Sequence, residues 1–169
     1  LVLLSARHKD AIVAVNKEDK SLAWILGDPT GWDGVDQSYF FTPEGEDFEW
    51  FYAQHNVSIL DNGDIALFDN GTAKVKRVDG DNRVSGDNVY SRAVVYQIDT
   101  ENMTVSQVTE YGKERGADWY SDWISGVASL DGTQDHLWIT AGSHLHSDEE
   151  NRSDYYPKDM FVQGLTKTT

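Results

Sequence analysis

The sequence predicts an all-β fold, built as blades of a β-propeller. Helical periodicity is almost absent, short runs rich in β-branched and aromatic residues recur between turn signals, and the runs repeat as alternating pairs of hairpins. Strands are expected at residues 2–5, 11–15, 22–26, 57–60, 65–68, 92–98, 106–111, 124–130, 136–140 and 160–165. The turns between them are explicit. Asp61-Asn-Gly-Asp64 and Asp131-Gly-Thr133 supply the positive φ of tight hairpins, while residues 16–20 and 99–102 are polar turns that follow Val- or Ile-rich runs.

The repeat is visible in the residues. Ala11-Ile-Val-Ala-Val15, a polar turn and Leu22-Ala-Trp-Ile-Leu-Gly27 parallel Ala93-Val-Val-Tyr-Gln-Ile98, a polar turn and residues 105–112. Asn56-Val-Ser-Ile-Leu-Asp-Asn-Gly63 followed by residues 65–68 parallels Gly126-Val-Ala-Ser-Leu-Asp-Gly132 followed by residues 137–140. Outer and inner hairpins therefore alternate, as in four-stranded blades packed radially. On this reading residues 1–169 are part of a single propeller domain. Residues 1–27 form the outer part of one blade, 51–112 one full blade and 120–169 the start of a third. A propeller closes with no fewer than about four blades, so neighbouring blades are expected beyond this sequence.

Apolar burial is expected between blades for Trp24, Leu26, Val57, Ile59, Leu67, Val95, Val127, Leu137 and Ile139. Two long insertions, residues 28–50 and 72–90, interrupt the strands, and loops beyond about 12–15 residues are usually functional or disordered. The first carries Trp32, Tyr39, Phe40, Phe41, Phe48 and Trp50 and is expected to pack over something.

Charge narrows the partners. With 14 Lys and Arg against 29 Asp and Glu, the formal charge is −15 and the long-range field repels nucleic acid and anionic membranes. An anionic substrate would have to be met by a local cluster of Arg or His. The chain has no cysteine, which removes disulfides and zinc-thiolate sites, and no apolar run approaches the ~20 residues of a membrane span. Residues 1–7 lack the features of a signal peptide and read as a strand.

Among residues able to do chemistry, His55 heads the inner hairpin of the complete blade. Position alone leaves two readings open, a structural histidine and a group aimed at the mouth of the central channel. His144 and His146 alternate beside an acidic stretch, and Asp79-Gly-Asp-Asn82 opens like a calcium loop. The first lies in a loop and the second lacks the distant Glu, so no metal site is expected. Arg92 reads as a blade-to-blade ion pair, Asp69 and Asn70 as a structural turn, and His8 as solvent-exposed.

The ordered set Ser5-Ala-Arg7, Trp24-Ile-Leu-Gly27, Gln54-His55, Phe68-Asp-Asn-Gly71, Tyr90-Ser-Arg92, Met103-Thr-Val105 and Tyr111-Gly-Lys-Glu-Arg-Gly116 resembles the nucleotide-independent arylsulfate sulfotransferases of bacteria, from about Leu3 to about Gly142. The resemblance implies a six-bladed propeller and a ping-pong transfer of a sulfuryl group from an aryl sulfate to a phenolic acceptor, through a sulfohistidine and without a cofactor. The family's Gln-His motif falls on Gln54 and His55, which gives His55 the nucleophile's role, and its Ser-x-Arg motif falls on Ser5-Ala-Arg7. By blade symmetry Ser125 aligns with His55 and is a candidate substrate-binding residue. The family's His-x-Asn motif and a further histidine belong to earlier blades and are not in this sequence, so the chain by itself is expected to be incomplete and can be inactive.

Chemistry agrees with these assignments. Imidazole, with an unperturbed pKa of about 6.5, is largely neutral at physiological pH, and covalent catalysis divides a hard displacement into two easier ones. Arginine offers a fixed fork of N–H donors to sulfuryl oxygens. The resemblance also implies export to the periplasm or cell surface. The sequence leaves open a homo-oligomer and a second functional reading, in which a non-catalytic propeller module grips a phenolic or carbohydrate ligand with the aromatic insertion.

Overall fold

In the computed structural model, residues 1–72 and 90–142 and the backbone of residues 161–166 are described. The second insertion lies almost wholly outside the described residues, as do the His144/His146 pair and the Asp79–Asn82 stretch. The described residues are mostly β-structure with little helix, in agreement with the all-β expectation.

Among the described residues eleven strands run in chain order as β1 (Val2–Ala6), β2 (Ala11–Val15), β3 (Leu22–Gly27), β4 (Thr42–Glu44), β5 (His55–Ile59), β6 (Ile65–Asp69), β7 (Arg92–Asp99), β8 (Thr104–Tyr111), β9 (Ser125–Ser129), β10 (His136–Ala141) and β11 (Phe161–Thr166). Each of the ten expected strands is present within a few residues of its expected ends. The sequence did not signal β4. Thr42-Pro-Glu44 is short, fully exposed and contains proline, a combination tolerated only at a sheet edge, where it pairs in parallel with β8.

The strands form three sheets, with orders β1-β2-β3, β4-β8-β7-β6-β5 and β11-β10-β9. Apart from the β4–β8 pair, all neighbours are antiparallel. The five-stranded sheet is covered on both faces, and the period of two divides its side chains between two cores. Ile65, Leu67, Val94 and Tyr96 join Ile12, Trp24 and Leu26 of the first sheet. Their neighbours Ala66, Phe68, Ala93 and Val95 point the other way and join Val127, Leu137 and Ile139 of the third sheet. This double coverage explains why β6 is buried at every position and reads as apolar from Ile65 to Phe68, before Asp69. Each such aliphatic side chain contributes roughly 1.5–3 kcal/mol by leaving water.

Of the nine residues expected to be buried, seven are and Val57 is half-buried against the first core. Ile59 departs from the expectation, with 54% of its surface exposed. It ends β5, an edge strand whose register is broken by an irregularity between His55 and Ser58, so no further strand covers it among the described residues.

The first insertion packs over the cores as expected. Phe41, Phe48 and Trp50 lie against the first core, while Phe40, Trp32 and Tyr39 cover the other face of the first sheet around Ala11 and Ile25. Edge-on ring pairs, Trp24 with Phe41 at 5.5 Å and Phe48 with Trp50 at 4.8 Å, set their orientation. Arg92 corrects a further expectation. It is fully buried and pairs with Asp69 and Glu110 of its own sheet and with Glu49 of the insertion, an ion cluster within one sheet and not between sheets. The sheet brings these groups together because Arg92 is the cross-strand partner of Asp69.

Candidate functional site

His55 is the first residue of β5, reached by an unusual backbone path. Ala53 (φ 56°) and Asn56 (φ 50°) both adopt the left-handed conformation that non-glycine residues rarely take. Such positions cost about 1–3 kcal/mol and persist only where surroundings impose them. Those surroundings are identifiable. Ala53 N donates to Asp10 Oδ1 at 2.6 Å, and Asn56 Oδ1 accepts from Val127 N of the third sheet at 2.9 Å. Tyr52 N donates to Asp69 Oδ1 at 2.9 Å, and Asp69 is in turn held by Arg92.

Arg7 lies in a turn of 3₁₀ helix, Arg7–Lys9, that joins β1 to β2. The turn ends at Asp10 (φ 51°), and β3 passes so close that a Cβ on Gly27 would meet Asp10 O at 2.5 Å. His8 is exposed as expected, although this turn and not an extended strand is what separates it from Arg7.

The turns carrying Arg7 and His55 are tied together directly. Besides the Ala53–Asp10 bond, the buried Gln54 amide donates from Nε2 to Ser5 Oγ at 3.2 Å and to Ala11 O at 2.8 Å. The Gln-His and Ser-x-Arg motifs thus meet through Gln54 and Ser5, with His55 one residue and Arg7 two residues away.

A second set of bonds runs to the segment before β9. His55 Nδ1 lies 2.7 Å from Asn70 Oδ1, and Asn70 Nδ2 donates to Ser121 O at 2.7 Å. Arg7 Nη2 donates to the next carbonyl, Asp122 O, at 3.1 Å. Thr72 Oγ1 reaches that same oxygen at 2.7 Å. Both candidate residues are therefore anchored on consecutive peptides, His55 through Asn70 and Arg7 directly. Among the described residues, His55 Nε2 and the remaining Arg7 N–H groups have no hydrogen bond.

Ser125 is the first residue of β9, as His55 is of β5. Its hydroxyl lies 2.9 Å from Ser121 Oγ and 3.4 Å from Asn70 Nδ2, and accepts from Gly142 N at 3.2 Å. Ile124 immediately before it is left-handed (φ 48°), a marked outlier for a β-branched side chain. Sequence reasoning did not single out Asn70 as the partner of His55. Its place one residue after the β6 strand that pairs with β5 was the available signal.

No group of three or more His, Asp or Glu side chains that could hold a metal ion occurs among the described residues. Nor does any helix there have the length and apolarity to cross a membrane.

These features define an all-β protein in which a histidine whose Nε2 and an arginine whose remaining donors have no hydrogen bond among the described residues sit on adjacent, strained turns. The family description "Arylsulfotransferase (ASST)" matches residues 1–163, and the chain belongs to that family. Two relatives are named arylsulfate sulfotransferase AssT, from Escherichia coli O6:H1 and from Lelliottia amnigena. Each is 31% identical over 185 aligned positions that cover 96% of this chain. The chain spans about 30% of the length of either relative.

Proposed function

We propose that the protein containing this chain transfers a sulfuryl group from an aryl sulfate to a phenolic acceptor, with His55 as the nucleophile. The observation that supports this most is the engagement of His55 Nδ1 by Asn70, with no hydrogen bond to Nε2 among the described residues, in a turn braced against the turn of Arg7. In the first half-reaction the Nε2 lone pair forms an N–S bond as the S–O(aryl) bond breaks, and the phenol leaves as phenolate with the electron pair of that bond. In the second, the acceptor's phenolic oxygen attacks sulfur, its proton passes to bulk water, and the N–S pair returns to Nε2. Arg7 meets the non-bridging sulfuryl oxygens in both steps, and Ser125 offers its hydroxyl to the substrate.

The three sheets are read here as consecutive blades of a β-propeller, six-bladed by the resemblance. Residues 1–27 belong to one blade, 51–112 to the complete one and 120–169 to the next. The half-buried start of β5 and the neighbouring start of β9 would then face the channel mouth. Export to the periplasm or cell surface follows from the same resemblance. The binding-module alternative draws on the same insertion, whose Phe40 and Phe41 are buried while Trp32, Tyr39, Phe48 and Trp50 are half-buried against the cores.

The test is a quenched reaction of the full-length protein with 4-nitrophenyl sulfate and no acceptor, analysed by mass spectrometry. One sulfuryl group on His55 is expected, and His55→Ala should abolish both the adduct and the release of nitrophenol. Sulfation of another residue, or turnover surviving in His55→Ala, would remove the proposal.

A further inference from the structure

We infer that Asn70 is a positioning residue that holds His55 in the Nδ1–H tautomer and so presents an unprotonated Nε2 to sulfur; this rests on the reading of His55 as the nucleophile. The argument begins with the amide's own orientation. Asn70 is fully buried, and one of its two terminal atoms lies 2.7 Å from the carbonyl oxygen of Ser121. A carbonyl only accepts, so that atom is the NH2 group, and the atom 2.7 Å from the imidazole is Oδ1. An amide oxygen also only accepts. The hydrogen between them therefore belongs to His55 Nδ1, and a neutral ring then carries its lone pair on Nε2.

Asn70 cannot easily turn. Its Nδ2 also faces Ser125 Oγ at 3.4 Å, and its backbone carbonyl accepts from the buried Ser91 hydroxyl at 2.9 Å. That hydroxyl in turn accepts from Ser121 N at 2.8 Å, which closes the frame around the Ser121 carbonyl. The imidazole is thus held by a rigid acceptor whose other half is committed to backbone.

An amide suits the reaction better than a carboxylate would. As the N–S bond forms, the ring becomes cationic and the Nδ1–H bond becomes charge-assisted, hence stronger in the transition state than in the ground state. A carboxylate would favour the imidazolium before attack, with no lone pair left on Nε2. The neutral amide selects the tautomer and leaves the ring neutral until sulfur arrives.

The two halves of the Asn70 side chain make the inference separable from a structural role. Asn70→Asp keeps the acceptor for Nδ1 and loses the donor to Ser121, whereas Asn70→Ala loses both. The measurement is ¹⁵N NMR of the His55 ring in the full-length protein, at a pH high enough that the ring is neutral in every variant, Asn70→Asp included, assigned by difference from His55→Ala and paired with the burst of nitrophenol from 4-nitrophenyl sulfate. The parent protein and Asn70→Asp should show protonated Nδ1 and unprotonated Nε2. Asn70→Ala should shift toward Nε2–H and slow its burst by about 10- to 100-fold, the scale of loss when the partner orienting a metal-bound imidazole is removed. Unchanged ring shifts in Asn70→Ala, or loss of the tautomer in Asn70→Asp as well, would overturn the inference. The ring shifts are read without turnover. Turnover that persists in His55→Ala would sink the nucleophile assignment while the spectrum still decided the tautomer.

Discussion

Gln54 Nε2 lies 3.2 Å from Ser5 Oγ, so the residue before His55 is bonded to the residue two before Arg7. The same nitrogen holds Ala11 O at 2.8 Å, and Gln54 is 1% exposed. Removing the amide takes a donor from the buried Ala11 carbonyl and leaves the Ala53–Asp10 bond to hold the two turns together. Gln54→Ala should cost about 1–3 kcal/mol, the usual penalty for a buried polar group left unpaired. It should also raise KM for an aryl sulfate, because the turns of His55 and Arg7 lose part of their common brace. Denaturant unfolding and steady-state kinetics check both halves, and a stability loss with unchanged KM would count against the brace.

Among the described residues, Arg92 is the largest charged side chain that is fully buried. Its Nε lies 2.9 Å from Asp69 Oδ2, and their side chains are 0% and 1% exposed. Asp69 also accepts the backbone N–H groups of Tyr52 and Gly71, each at 2.9 Å, which fixes the approach to His55. Arg92→Met leaves that carboxylate buried without its cation, and such a loss costs about 3–5 kcal/mol. Arg92→Lys should recover only part, because an ammonium cannot also span Glu110, Gln107 and the carbonyl of Glu49 as the guanidinium does. Chemical denaturation midpoints would rank the parent above the Lys variant, and that above the Met variant.

Tyr52 sets a pH limit. Burial, and after it the nearby Asp28, Asp10, Asp69 and Glu49 carboxylates, push its phenol up from 10.0 to about 12. Between those values the unfolded chain has lost the proton and the folded one has kept it. Stability is therefore fully present below about pH 10 and is lost as pH rises toward 12. Tyr52→Phe has no such proton, and its unfolding free energy should fall less steeply than the parent's across that window. Parallel slopes would show that Tyr52 contributes nothing to the alkaline loss.

The strand plan was legible because alternation and turn chemistry are local. Asp61-Asn-Gly-Asp64 and Asp131-Gly-Thr133 mark their hairpins by residue type, and Gly63 and Gly132 have the positive φ those turns require. What the sequence could not show is which distant groups meet. Gln54 with Ser5, and Asn70 with Ser121, are separated by 49 and 51 residues and depend on how the sheets stack. The same holds for Arg92, whose type announced an ion pair but whose partners are set by register. Ile59 was misread because alternation says which face a side chain takes but not whether another sheet covers it.

Arg7 provides the most direct test of how charge is handled at the site. One nitrogen of its guanidinium is spent on Asp122 O at 3.1 Å, which orients the fork and leaves the other donors without hydrogen bonds among the described residues. Transfer of a sulfuryl group spreads negative charge over the same three oxygens whether the group is arriving at His55 or leaving it. A donor fixed on those oxygens should therefore stabilise both transition states. Arg7→Ala should slow the nitrophenol burst and the subsequent transfer to a phenol alike, each by about 10²–10³-fold, as when a preorganised donor is lost elsewhere. Arg7→Lys should recover less than half of that loss on a logarithmic scale, since an ammonium cannot hold Asp122 O and fork onto two sulfuryl oxygens at once. Rapid-quench kinetics of the two half-reactions separates the cases. Slowing confined to the burst would place Arg7 at the leaving phenol, and unchanged rates in both would return it to a purely structural tie between its turn and the segment before β9.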